Sequence, residues 1–298
     1  MAEWQVIRIR SHLGAPQKGT EKGPDKIIDG LLSERKELIK KIRTVSVPKE
    51  NQAHQKERYS RMKNLPEIKK LWRRVENAVY SVVASGDKAL LLHGDDSVVC
   101  PEAWAIAAGM GKKKLGVIYF DAHGDANTLQ TTRSGNFYGM GVAHMIGYGH
   151  PDLLKLNSKQ VALSGRNLVM IGQRNFDPGE KEFLKDFGIS IYTPSDVNKN
   201  ITQILKDVKL KFKKESVAGL YVHFDQDVVD PEESGASLCR TPHGIRVKEL
   251  LEIADFVRKN FDVVGVSIGN YLPAIDEEKK TLKVIGRFLS TLGIIKNL

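Results

Sequence analysis

Cysteine is nearly missing from this sequence. Two residues in 298, Cys100 and Cys239, are too few for a disulfide framework and lack the close spacing of a zinc site. The fold must therefore be held by its core. No uninterrupted apolar run approaches the roughly 18 to 20 residues that a bilayer span requires. The opening segment MAEWQVIRIR carries Glu3 and a strand-like alternation, not the basic and then apolar order of a secretory signal. A cytoplasmic protein that spans no membrane is the expectation. Internal repeats, low-complexity tracts and linkers are also missing, so residues 1–298 are read as one domain.

What is present supports a large core. Apolar residues make up 41% and charged residues 28%, a balance that excludes global disorder. Lysine and arginine number 46 against 36 acids, giving a net charge of +10. The basic residues are dispersed in pieces such as Lys69–Arg74, Lys112–Lys114 and Lys206–Lys214, mostly mixed with acids or apolar residues. Those pieces have the character of solvated helix faces. With no helix-turn-helix spacing, zinc finger or aromatic RNA-binding signature, nucleic acid is not an expected partner.

Short apolar runs alternate with stretches of helical period. Strands are expected at 4–9, 42–47, 88–92, 115–120, 167–171, 189–192, 218–224 and 263–268. Helical period marks 66–83, 97–109, 180–187, 201–212, 247–259 and 281–292, and Pro24 sits near the start of a further helix over 23–32. Several of the strand runs are apolar throughout, as parallel strands covered on both faces are. The order predicts a three-layer α-β-α fold around a mostly parallel, doubly wound sheet. The polar stretch Pro48–Met62 is expected to be a loop.

Ligands of such sheets bind beyond the carboxyl ends of the strands, and three of those ends are unusually acidic. LGVIYF runs into Asp121-Ala122-His123-Gly124-Asp125, AGLYVHF into Asp225-Gln226-Asp227-Val228-Val229-Asp230, and KALLL into His93-Gly94-Asp95-Asp96. One Asp-x-Asp pair is ordinary in a turn or cap. Three such clusters at buried strand ends would repel one another, and burying an uncompensated carboxylate costs several kcal/mol, so a cation is the natural compensation. Carboxylate oxygens with one imidazole and no thiolate form a hard donor set that favours manganese or magnesium. His144, His150 and His243 are isolated and read as ordinary surface or core residues, whereas His93 and His223 adjoin the acidic clusters.

The strings Asp121-Ala122-His123-Gly124-Asp125-Ala126-Asn127-Thr128, Ser134-Gly135-Asn136 and Asp225-x-Asp227-x-x-Asp230-Pro231 resemble the signature of the arginase (ureohydrolase) family, which includes agmatinases and formimidoylglutamases. The likeness runs from Gly23-Pro24 to Tyr271-Leu272-Pro273. It implies two Mn2+ ions per chain, one held by Asp96, Asp121, Asp125 and Asp225 and the other by Asp121, His123, Asp225 and Asp227. It also implies a hydroxide between the ions that attacks a guanidinium carbon and releases urea and an amine. Asp125 would pass a proton to the leaving amine. Homo-oligomers, trimers or hexamers, are common in the family.

The same likeness points to an amino-acid substrate. Asn127, Ser134 and Asn136 resemble the residues that hold an α-carboxylate, Asp177 the acid that accepts an α-amino group, and Thr241 a residue at the mouth of the site. Three positions depart from the family pattern. Asp96 stands where a histidine is usual, Tyr138 where a histidine relays protons, and Asn270 where a glutamate meets the guanidinium. The expected function is a manganese amidinohydrolase acting on arginine or a close guanidino amino acid. The alternatives are agmatinase or formimidoylglutamase activity, or a binding homologue with degraded chemistry.

Overall fold

A computed structural model describes residues 2–35, 38, 42–51, 62–157 and 163–295. Most of the segment expected to be a loop, residues 52–61, lies outside the described residues. The strands are β1 (Trp4–Ile9), β2 (Ile42–Val45), β3 (Lys88–His93), β4 (Lys114–Phe120), β5 (Leu168–Ile171), β6 (Ser190–Tyr192), β7 (Val217–Asp225) and β8 (Val263–Gly269). They form one eight-stranded sheet in the order β2-β1-β3-β8-β7-β4-β5-β6. Every neighbouring pair is parallel, so the sheet is wholly rather than mostly parallel.

Alternation along each strand sends successive side chains into two cores. Leu90, Leu92, Ile118, Phe120, Val222, Phe224, Val266 and Ile268 share one core with the helices α3 (Pro194–Lys214), α4 (Val247–Asn260) and α5 (Lys280–Thr291). Ala89, Leu91, Val117, Tyr119 and Tyr221 face the other, which is closed by α1 (Leu65–Ala84) and α2 (Val99–Gly109). Each large apolar side chain withdrawn from water in this way contributes about 1.5–3 kcal/mol. Trp72 on α1 is buried and donates its indole N–H to Ser97 O at 2.7 Å, which fixes the turn that follows β3.

Differences from the sequence reading have local causes. The helix expected from Ile201 begins at Pro194, because Thr193 and Asp196 form a reciprocal cap and Asn200 breaks the helical dihedrals between the two parts. The segment expected as one helix over 23–32 is an α-helical turn at Gly23–Ile27 followed by a π-helical turn at Ile28–Leu32. Two short helices, Gly141–Met145 and Pro151–Leu154, span too few residues for periodicity to register. Cys100 is buried in α2, as expected of a core residue. Among the described residues no helix is long and apolar enough to cross a membrane.

Because all strands run the same way, the chain leaves β3, β4, β7 and β8 at one edge of the sheet. Close packing there is built in. A Cβ on Gly94 would meet Ser11 O at 2.0 Å, so the turn after β3 presses against the segment after β1.

Candidate active site and metal centre

The three acidic strand ends meet. Asp96, Asp121 and Asp225 offer ligand atoms within 4.8 Å of one another, and so do Asp121, His123 and Asp227. Asp121 belongs to both groups. Asp96, Asp121, Asp125, Asp225 and Asp227 are all buried, and His123 is partly exposed at the edge of the cluster.

Backbone N–H groups aim the carboxylates. His123 N donates to Asp121 Oδ1 at 2.7 Å, Ala122 N to Asp227 Oδ1 at 3.0 Å, and Asp227 N to Asp225 Oδ1 at 2.8 Å. His123 Nδ1 faces Asp121 Oδ1 at 3.3 Å and Asp227 Oδ2 at 3.2 Å. Asp125 adopts a left-handed backbone (φ 47°), and Tyr119 donates its hydroxyl to Asp125 Oδ2 at 2.7 Å. Asn270, also left-handed at φ 54°, turns its amide nitrogen to Asp96 Oδ2 and to Asp225 Oδ2.

So many acids in one dry crevice cannot all carry charge unaided. Burial, reinforced by neighbouring carboxylates, pushes Asp121, Asp125 and Asp225 well above the ordinary carboxylate range. Burial works against a charged His123, yet Asp227 and its neighbours outweigh it and raise the imidazole to about 10. The fit to divalent cations is shown by Asp121 Oδ2, a buried oxygen with no hydrogen-bond partner among the described residues. Oxygen donors with imidazole suit divalent ions.

These shifts set a pH dependence. Groups whose pKa values are raised hold protons near neutrality and must release them to a metal ion, so affinity for a divalent ion is expected to rise as pH climbs from about 6 toward the His123 value of about 10. Calorimetry in buffers of different ionisation enthalpy should register net proton release. An affinity independent of pH in that range contradicts this account of the site.

Above the carboxylates opens a cavity of about 290 Å³ lined by His123, Asp125, Asn127, Ser134, Asn136, Tyr138, Asp177, Glu180, Cys239, Arg240 and Thr241. A narrower recess below it is lined by Asp96, Asp125, Asp225, Asp227, Tyr138, Cys239 and Asn270. The expected substrate residues Asn127, Ser134, Asn136, Asp177 and Thr241 thus face one chamber, while Asn270 lies on its floor. Tyr138 lies 3.7 Å from Cys239 Sγ, and burial raises its hydroxyl pKa further from neutrality.

A family profile, the arginase family, matches residues 3–293. The chain belongs to the arginase family. The arginase of Bacillus caldovelox is 29% identical over 294 residues, covering 96% of each chain. That of Staphylococcus aureus strain COL is 28% identical over 292 residues, covering 95% of each. The solved structure of the Bacillus caldovelox arginase superposes with a TM-score of 0.90 at 27% identity, covering all of both chains.

Within this arginase-family chamber, two residues were not foreseen from the sequence. Glu180 is buried and accepts from Ala126 N at 2.9 Å, Asn127 Nδ2 at 3.1 Å and Asp177 N at 2.7 Å, so it fixes both sides of the pocket. Asn127 Nδ2 also donates to Asp177 Oδ2 at 2.8 Å. Arg174 donates to the carbonyls of Asp227, Val228, Thr241 and Pro242, and so ties the loop after β7 to the pocket mouth. Neither Glu180 nor Arg174 carries a sequence signal for these tasks, since their partners are mostly backbone groups far along the chain. The isolated histidines behave as expected: His144 is buried with Nδ1 3.0 Å from Met140 O, and His243 is exposed.

Proposed function

We propose that the chain is a manganese-dependent arginase that cleaves arginine, or a close guanidino amino acid, to urea and an amine. The observation that carries this reading is the pair of ligand groups sharing Asp121 directly beneath a chamber that offers groups of both signs. Asp96, Asp121, Asp125 and Asp225 would hold one Mn2+ and Asp121, His123, Asp225 and Asp227 the other. Two divalent ions held there would lower the pKa of a bound water and stabilise negative charge on the attacking oxygen.

The chain's own residues do the rest. The carboxylate floor draws the guanidinium inward, and Asn127, Ser134 and Asn136 face the end of the chamber suited to a carboxylate. Asp177 accepts from an ammonium, so an amino acid engages groups that agmatine would leave unpaired. Asp125, ionised when it ligates the metal, would take the proton released by the attacking water and pass it to the departing nitrogen. Tyr119 holds that carboxylate in place through its 2.7 Å hydrogen bond. Tyr138 borders the same chamber, where it orders the path of that proton and does not itself ionise.

Urea release measured across guanidino compounds with added Mn2+ tests the assignment, with Asp125→Asn as the comparison. Arginine should be cleaved in preference to agmatine, and the variant should fall by at least the roughly 100-fold that losing a positioned proton donor costs. Equal urea formation by the variant would refute the role given to Asp125.

A further inference from the structure

Beneath the carboxylate floor lie two fully buried imidazoles that the reaction described above does not use. His93 ends β3 and His223 sits on β7, and their rings stack with centroids 5.6 Å apart at 23°. Both point Nε2 at the same atom: His93 Nε2 is 3.1 Å and His223 Nε2 3.5 Å from Asp96 Oδ1. His223 Nε2 is buried and has no hydrogen-bond partner among the described residues. The ligand atoms of His93, Asp96 and His223 lie within 4.8 Å of one another. We infer that the inner of the two divalent ions takes His93 Nε2 and His223 Nε2 as nitrogen ligands beside Asp96. The inference rests on the reading that the acidic floor holds divalent ions.

The far sides of both rings are held as metal-binding imidazoles usually are. A histidine that binds metal through one nitrogen is normally oriented by a carboxylate, carbonyl or hydroxyl at the other. His93 Nδ1 is 2.9 Å from Glu102 Oε1, and His223 Nδ1 is 2.8 Å from Ser267 Oγ. Tyr221 closes the circuit, donating its hydroxyl to Glu102 Oε2 at 2.6 Å and lying 2.7 Å from Ser267 Oγ. Glu102, Ser267 and Tyr221 are all buried, so this frame leaves each Nε2 directed inward at Asp96. Space is reserved as well. A Cβ on Gly269 would come within 2.3 Å of His93 Nε2 and 2.5 Å of Asp96 Oδ1.

The chemistry follows from the donors. Asp96 brings only oxygen, but the two imidazoles beside it make the inner position rich in nitrogen. Nitrogen donors favour transition ions over Mg2+, so the inner ion should resist displacement by excess Mg2+. Asn270 binds the opposite oxygen of Asp96, leaving Oδ1 to the imidazole side.

Metal analysis after Mn2+ loading and gel filtration tests this, together with pulsed EPR of the bound Mn2+. Wild-type protein should carry two equivalents and His223→Leu one. In His123→Asn, where the outer imidazole is gone, imidazole nitrogen coupling to the remaining Mn2+ should persist. This second variant alters a partly exposed side chain and keeps the test valid should the buried substitution fail to fold. Retention of both ions by His223→Leu, or bound Mn2+ without nitrogen coupling in His123→Asn, overturns the inference and leaves the proposed function standing. Wild-type protein that takes up no Mn2+ overturns both.

Discussion

Asp121→Asn is expected to lose metal and activity while stabilising the metal-free protein. Asp121 is shared by the Asp96/Asp225 group and the His123/Asp227 group, so its loss weakens both positions at once. Turnover should fall by more than the roughly 100-fold that loss of an outer partner of a metal ligand costs. The gain in the metal-free state has a separate cause. Burial and then Asp227, Asp225 and Asp96 raise the Asp121 pKa, so the folded protein binds that proton more tightly than the unfolded chain. A group raised in this way contributes stability that is lost as pH climbs through its folded value. Asparagine keeps the oxygen that accepts from His123 N and carries no charge. The variant should therefore melt above the metal-free wild type at pH 8, with the difference vanishing below the ordinary carboxylate value of 3.8. Thermal melts with and without Mn2+ at several pH values decide the matter. A variant that melts lower than metal-free wild type throughout would show that repulsion within the cluster is not what the ions relieve.

Glu180→Ala should damage substrate binding more than chemistry. Its two oxygens satisfy Ala126 N and Asp177 N and hold the Asn127 amide. Removing them strands buried N–H groups at about 1–3 kcal/mol each. The stretch carrying Asn127 and the stretch carrying Asp177 would then lose their common anchor. A rise in KM for arginine that exceeds the fall in kcat is the expected outcome, with a lowered melting temperature. Glu180→Gln, which preserves one acceptor oxygen, should lie between the two. Unchanged KM in Glu180→Ala would mean that the chamber does not depend on this carboxylate.

The parts of this molecule that could be read from sequence are those where adjacent residues carry the signal. Apolar runs ending in acids marked β3, β4 and β7, since a buried strand that passes straight into carboxylates has few explanations other than a cation. The spacing of Asp121, His123 and Asp125 likewise reported a shared direction at one strand end. Residues that act over long separations left no such trace. Glu180 reaches Ala126 across 54 positions and Arg174 reaches Pro242 across 68, and neither pairing follows from local pattern. Asn270 shows a third case. As a sequence departure it suggested only a lost guanidinium contact, but in the fold its amide lies between Asp96 and Asp225, where an acid would meet two others. His93 and His223 stood out beside acidic clusters, but their convergence on one oxygen depends on β3 and β7 flanking β8.

Cations gather these acids into one crevice, and anomalous scattering from crystals grown with Mn2+ tests that most directly. Peaks should lie in coordination contact with Asp121, Asp225, Asp227 and His123, and with Asp96. Density for Mn2+ only at exposed surface acids, with the crevice holding none at saturating concentration, would contradict it.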